Sequence, residues 1–195
     1  MIFSTTYLPN IAYYTAFLAD DAPCMEVCEN FVKQTYRNRC DILAANGVLK
    51  LVIPVEYARS KKIKIKDVKI AYYETWQKRH WRSIVSAYSS SPFFEYFADE
   101  FAPFYTNKYT FLYDFNTSLF RTINRTINLS VSPTKTDYYN TNNSLNIYSS
   151  KACNMSFRKY PQVFDFKFGF VENLSIIDLL FNVGTEAKYY LTTNN

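Results

Sequence analysis

At 195 residues the chain has the size of one domain, and its 48% hydrophobic content lets it bury a core without external staples, which excludes intrinsic disorder. Its 22 basic and 17 acidic residues leave a net charge of +5, enough to help hold an anionic ligand and too little to demand a nucleic-acid partner. The opening residues lack the basic-then-apolar pattern of a signal peptide, and no apolar run reaches the roughly 18 residues that a membrane span needs, so a soluble, cytoplasmic protein is expected.

In chain order, residues 1–4 read as a short strand. Tyr7-Leu-Pro-Asn10 reads as a turn, with Asn10 capping a helix over 11–19. Residues 24–28 read as a second strand, and 30–36 are ambiguous. Apolar runs at 39–44 and 48–55 flank Ala45-Asn46-Gly47; Asn-Gly tolerates the positive φ of a tight turn and predicts a β-hairpin. Residues 55–66 are charged and without strong order signals, which suggests a mobile flap. Within Ser60–Lys69 the lysines alternate with apolar residues, the pattern of an edge with lysines facing water; a phosphate-binding role is the sharper reading. Residues 67–72 read as another strand.

The character then changes. Thr75 is placed to cap a helix over 76–88, with Trp76, His80, Ile84 and Tyr88 at i, i+4 on one face. Ser89-Ser-Ser-Pro92 breaks it, and Pro92 suits the start of a second helix over 93–100 that ends near Pro103. Residues 109–127 read as a longer helix, interrupted near Asn116. The Asn-, Thr- and Ser-rich stretch 130–150 reads as a loop holding one strand at most. Phe164-Asp-Phe-Lys-Phe168 alternates like a strand. Residues 174–181 form a short helix capped by Asn173 or Ser175 and ended by Gly184; a last helix follows over 186–191. The sum is an α+β fold in a single domain over 1–195, strand-rich before residue 74 and helical after it.

Among residues able to carry chemistry, Lys33, Arg37 and Arg39 stand out. Arginine grips a carboxylate or phosphate with a planar fork, and on a strand Arg37 and Arg39 would share a face; an ordinary solvated edge is the plainer alternative. His80 is the sole histidine. Lys78, Arg79 and Arg82 beside it would depress its pKa and keep it neutral, the form a general base needs; a hydrogen-bonded structural histidine is the competing reading. Asp114 and Asn116 could meet a sugar hydroxyl, but no third carboxylate is in register for a metal. Cys24, Cys28, Cys40 and Cys153 fit buried free thiols better than a disulfide framework or a zinc site. Three glycines cannot build a Gly-rich phosphate cradle, and no nucleophile elbow is present. The cofactor stays open. The 19% aromatic content suits pocket walls but also follows from AT-rich coding, so it points to no ligand by itself.

Several motifs in series resemble the WbqC-like protein family. They are Tyr7-Leu-Pro9 with Tyr14, Lys33-Gln-Thr-Tyr-Arg-Asn-Arg39, Asn46-Gly47, Leu51-Val-Ile-Pro-Val55, Trp76-Gln-Lys-Arg-His80, Ala87-Tyr88 with Pro92-Phe93, and the closing Leu174-Ser-Ile-Ile-Asp-Leu-Leu-Phe-Asn182. The resemblance spans roughly residues 1–190 and implies bacterial O-antigen and surface-polysaccharide gene clusters. It also implies an aminoacyl (glycine-type) transferase acting on an amino or nucleotide sugar, with His80 as catalytic base. Lys33, Arg37, Asn38, Arg39, Tyr7, Tyr88, Asp114 and Asn116 would then be the substrate-binding residues. The alternative is a non-catalytic nucleotide-sugar or glycan-binding protein serving biosynthetic partners. Many members carry His-Gln-Pro just before the tyrosine of Tyr-Leu-Pro; here that stretch is Phe3-Ser-Thr-Thr6, so activity that depends on that pair would be lost or changed.

Overall fold

The computed structural model describes residues 1–56, 62–139 and 155–192. Strand β1 (Ile2–Ser4), helix α1 (Ile11–Leu18) and strand β2 (Cys24–Glu26) form a crossover unit whose two strands run parallel. Parallel neighbours cannot be joined by a tight turn, and α1 supplies the return path. Asn10 caps α1, its Oδ1 accepting from the Tyr13 N–H at 2.9 Å. Strand β7 (Thr134–Lys135) joins β2, also in parallel, to give the sheet order β1-β2-β7.

The Asn-Gly turn behaves as its residues require. Strands β3 (Arg39–Ala44) and β4 (Gly47–Val52) pair antiparallel in register from Arg39↔Val52 to Ala44↔Gly47, and Gly47 takes φ +106°. Cys40 and Ile42 of β3 face the core, whereas Val48, Leu49 and Val52 of β4 are exposed. Strands β5 (Val55–Glu56) and β6 (Lys69–Ile70) make a smaller antiparallel pair.

The described part of the expected flap is tied down. Phe31 N–H donates to the Ile63 carbonyl at 2.8 Å, and Ile65 N–H donates to the Glu29 carbonyl at 2.8 Å. Ile65 and Val68 are buried while Lys62, Lys64, Lys66 and Lys69 face water, so the alternation read from sequence is a one-sided edge. Residues 57–61 of that span lie outside the described residues, as do 140–154, which hold Cys153 and much of the predicted Asn-rich loop. Cys40 is buried, but Cys24 and Cys28 are only half-buried thiols.

Helix α2 (Trp76–Tyr88) buries the predicted ladder Trp76, His80, Ile84 and Tyr88 against β3 and the turn at Ala102–Tyr105. Thr75 precedes it without a side-chain cap. Helices α3 (Phe94–Phe101) and α4 (Leu112–Thr126) follow, and α4 runs unbroken through Asn116, because that side chain finds a partner across the core rather than in its own backbone. The segment predicted as a strand at 164–168 is instead the short helix α5 (Asp165–Phe168). Its alternating phenylalanines have no core to face, Phe166 being 81% exposed, and the local N–H groups close onto the Phe164 and Asp165 carbonyls.

Helices α6 (Ile176–Val183) and α7 (Ala187–Thr192) complete the fold. The start of α6 is sewn to the opening turn: Ile11 N–H donates to the Leu174 carbonyl, Ile176 N–H to the Pro9 carbonyl, and Ser175 Oγ to the Leu8 carbonyl. Leu8 is held there at φ +44°, a conformation uncommon for leucine. Among the described residues no helix is long and apolar enough to cross a membrane, and no three His, Cys, Asp or Glu side chains are placed to hold a metal ion.

Asp178 of α6 is the one carboxylate in an otherwise apolar helix face. It lies 1% exposed and accepts from Tyr88 Oη at 2.8 Å, Tyr160 Oη at 2.7 Å and Gln162 Nε2 at 3.1 Å. Burial raises its pKa from 3.8 to about 6, opposed by these donors. A carboxyl whose folded pKa is raised stabilises fully below pH 3.8 and loses that contribution as pH rises through 6. Chemical denaturation at pH 4 and pH 7 should therefore show Asp178→Asn gaining roughly 2 kcal/mol relative to wild type on going to pH 7. A difference that does not change with pH would mean that Asp178 titrates normally.

Candidate functional site

The turn between β1 and α1 carries Tyr7 into the centre of the molecule. Its N–H donates to the Tyr36 carbonyl at 2.9 Å, and its hydroxyl lies 3.0 Å from His80 Nδ1 and 2.9 Å from Tyr105 Oη. Trp76, one turn before His80 on α2, meets the imidazole edge-on at a centroid distance of 5.1 Å, and Phe115 of α4 packs on both Tyr7 and Trp76. His80 is thus 5% exposed inside an aromatic shell.

Burial is the main reason its pKa falls from 6.5 to about 4; a hydrogen bond to the Val52 carbonyl opposes the fall, and Arg79 adds to it slightly. The direction agrees with the sequence reading, but desolvation rather than basic neighbours is the cause. Lys78, Arg79 and Arg82 all point to solvent. With one ring N–H donated to Val52, neutral His80 accepts the Tyr7 hydroxyl at Nδ1, and Tyr7 accepts from Tyr105. The result is a chain of Tyr105, Tyr7 and His80 along which a proton can be passed. Burial raises the pKa of both tyrosines, which keeps them protonated.

On the other side of the Tyr7 segment lies Arg37, 5% exposed. It precedes β3 and does not share a strand face with Arg39, which opens β3. Its Nε donates to Glu29 Oε1 at 3.0 Å and its Nη2 to Glu29 Oε2, a two-point ion pair out of water. Nη2 also donates to Ser4 Oγ at 3.1 Å and Nη1 to Thr35 Oγ1 at 3.2 Å. Asn116 Nδ2 of α4 donates to the Arg37 carbonyl at 2.8 Å, and Asn38 Nδ2 donates to the Ile53 carbonyl at 2.8 Å. The Oδ1 atoms of Asn38 and Asn116, and Arg39 Nε, are buried without a hydrogen-bond partner among the described residues.

The structure therefore gathers Tyr7, Arg37, Asn38, Asn116 and His80 around residues 36–38. It sets others apart. Tyr88 belongs to the Asp178 network, Asp114 is exposed and away from the buried Asn116, and Lys33 is exposed on an irregular segment. Glu29, Ser4 and Tyr105 are members that sequence reasoning did not find. Glu29 and Arg37 are eight residues apart across an irregular segment, so no helical or strand period flags the pair. Nothing in the sequence marks Tyr105.

Removing one partner of a buried ion pair leaves the other charge stranded. Arg37→Met should destabilise the fold by roughly 3–5 kcal/mol, and the double variant with Glu29→Met should recover most of it, as read by chemical denaturation. For His80 a depressed folded pKa gives stability that is full above pH 6.5 and is lost as pH falls towards 4. His80→Gln should thus gain roughly 3 kcal/mol relative to wild type between pH 7 and pH 4. A constant difference would show that His80 charges without penalty.

Comparison with known proteins agrees with the serial motifs. The profile of the WbqC-like protein family matches residues 5–154 and 131–190. The uncharacterized protein Rv1507c of Mycobacterium tuberculosis is 28% identical over 104 residues, which is 53% of this chain and 45% of that protein, so the match spans less than half of the relative's length. No solved structure matches. The profile covers most of the chain, including the turn that carries Tyr7, the Arg37 segment and the His80 helix: the chain belongs to the WbqC-like protein family.

Proposed function

We propose that this chain binds an amino sugar or nucleotide sugar in surface-polysaccharide biosynthesis and does so without turning it over. One observation carries the reading: the two groups that aminoacyl transfer would use are occupied from inside. His80 is engaged by Tyr7 and Val52, and Arg37 by Glu29, Ser4 and Thr35. What remains to meet a ligand is a set of uncharged acceptors and an edge cation. The Oδ1 atoms of Asn38 and Asn116 suit sugar hydroxyls, and half-buried Arg39 suits a carboxylate or phosphate. The change from His-Gln-Pro to Phe3-Ser-Thr-Thr6 favours the same conclusion, since Ser4 here serves the ion pair. Thiols left unpaired fit a reducing compartment such as the cytoplasm.

A second reading is aminoacyl transfer to a sugar amine, favoured by the neutral imidazole and its tyrosine chain. In that reading His80 takes the amine proton as the amide bond forms and the acyl–oxygen bond of the aminoacyl ester donor breaks, and the proton goes to the departing alcohol. Thermal-shift measurements on the whole chain with nucleotide sugars and amino sugars, paired with mass spectrometry in the presence of aminoacyl donors, separate the two. The expected result is a raised melting temperature, diminished in Arg39→Ala, with no product. A product that His80→Gln abolishes would replace the binding reading with the transfer reading. No shift with any sugar, and no product, would reject both.

A further inference from the structure

A second site lies on another face of α4. Tyr113, Thr117, Arg121 and Asn124 fall at successive turns of that helix and face Met25 of β2 and Lys135 of β7, which are register partners in the parallel sheet. Between them is a recess of about 100 Å³, which opens towards a wider groove of about 420 Å³ that shares Arg121, Asn124, Val131 and Ser132.

Its chemistry is one-sided. Two cations, Arg121 and Lys135, line it, and no carboxylate does. Glu26 alternates with Met25 along β2 and so points to the opposite face, where its Oε1 accepts from Thr136 Oγ1 at 2.8 Å. Lys135 sits over the Tyr113 ring at 5.7 Å from the centroid, and Arg121 has no carboxylate partner among the described residues. Arg125, by contrast, is paired with Glu100. Two hydroxyls complete the set. Tyr113 is only 9% exposed, and both its Oη and Thr117 Oγ1 are buried without a hydrogen-bond partner among the described residues. A hydroxyl buried and unused destabilises a fold by about 1–3 kcal/mol, so a pair of them beside two cations is a costly arrangement unless a ligand uses it.

We infer that this recess binds the phosphate group of a small phosphorylated molecule. The Tyr113 and Thr117 hydroxyls donate to phosphate oxygens, and Arg121 and Lys135 neutralise the charge from the mouth. A tetrahedral oxyanion matches the size of the recess, and the adjoining groove offers room for whatever the phosphate is attached to. The assignment goes beyond the sugar-binding reading and does not depend on it: it needs no sugar and no chemistry at His80.

Isothermal titration calorimetry of the full chain with inorganic pyrophosphate, and separately with UDP, at fixed ionic strength tests it. Saturable one-to-one binding is expected, weakened about tenfold or more in Arg121→Ala and in Lys135→Ala, both exposed positions whose loss leaves the fold intact. Tyr113→Phe should weaken binding by about fivefold to tenfold while the melting temperature of the unliganded protein stays level or rises, because an unsatisfied hydroxyl is removed. Tighter binding of UDP than of pyrophosphate would support occupancy of the groove as well as the recess. No saturable binding of either probe, or wild-type binding in all three variants, would overturn the assignment.

Discussion

A guanidinium and a carboxylate taken together out of water hold the centre of this protein in place. Arg37 and Glu29 meet through two hydrogen bonds, and the same guanidinium reaches Ser4 at the end of β1. Three irregular stretches are thereby fixed to one another: the exit from the first strand, the segment after β2, and the lead into the hairpin. The segment after β2 and the lead into the hairpin have no sheet or helix of their own to fix them. Separating two charges held out of water is costly, so the pair resists displacement. Asn116 then reads the Arg37 backbone from α4, and Tyr7 reads the Tyr36 backbone from the opening turn. Everything proposed for sugar binding inherits its positions from that pair.

Desolvation governs His80 and Asp178, with opposite consequences. It keeps His80 uncharged by making protonation unfavourable, and it favours the neutral form of Asp178 by making ionisation unfavourable. Their contributions to stability run against each other over the same acidic range, so the whole protein's stability there conceals two steep local dependences. Both groups report through tyrosines: Tyr7 and Tyr105 on one side, Tyr88 and Tyr160 on the other. The unusual tyrosine content thus has a structural use, since the ring fills core volume while the hydroxyl serves a polar group that water does not reach.

Much of the fold was legible in the sequence because local physics decided it. Asn46-Gly47 specified the hairpin through backbone conformation alone, and the i, i+4 ladder of α2 specified which face enters the core. Asn10 capped its helix as its side chain requires. Failures came where distant partners decide. Alternating phenylalanines at 164–168 carried the period of a strand, but no strand pairs with them among the described residues and Phe166 stays exposed. Arg37 looked like an open anion grip because Glu29 gives no periodic clue to its position. His80 was marked as the sole histidine and as neutral, yet its shell of Tyr7, Trp76 and Phe115 is assembled from three separate segments. Asp178 did carry a signal, a lone acid in the apolar run Leu174–Phe181, and such a residue in a buried helix face asks for donors.

The parallel pairing of β2 with β7 links segments about 110 residues apart in sequence, as the Glu26–Thr136 contact shows. Closing so long a loop is entropically unfavourable, and no local turn assists it. The hairpin and the β1-α1-β2 unit can form early from near neighbours, whereas β7 docks only after α4 has been laid down between them. On the ribosome the third strand is therefore a late arrival, and the nascent sheet waits with β2 as an open edge. An open edge is the feature by which partly folded chains find one another. The short β7 thus does more than widen a small sheet: it covers the edge of β2 with a strand of only two residues, which offers another chain little to pair with.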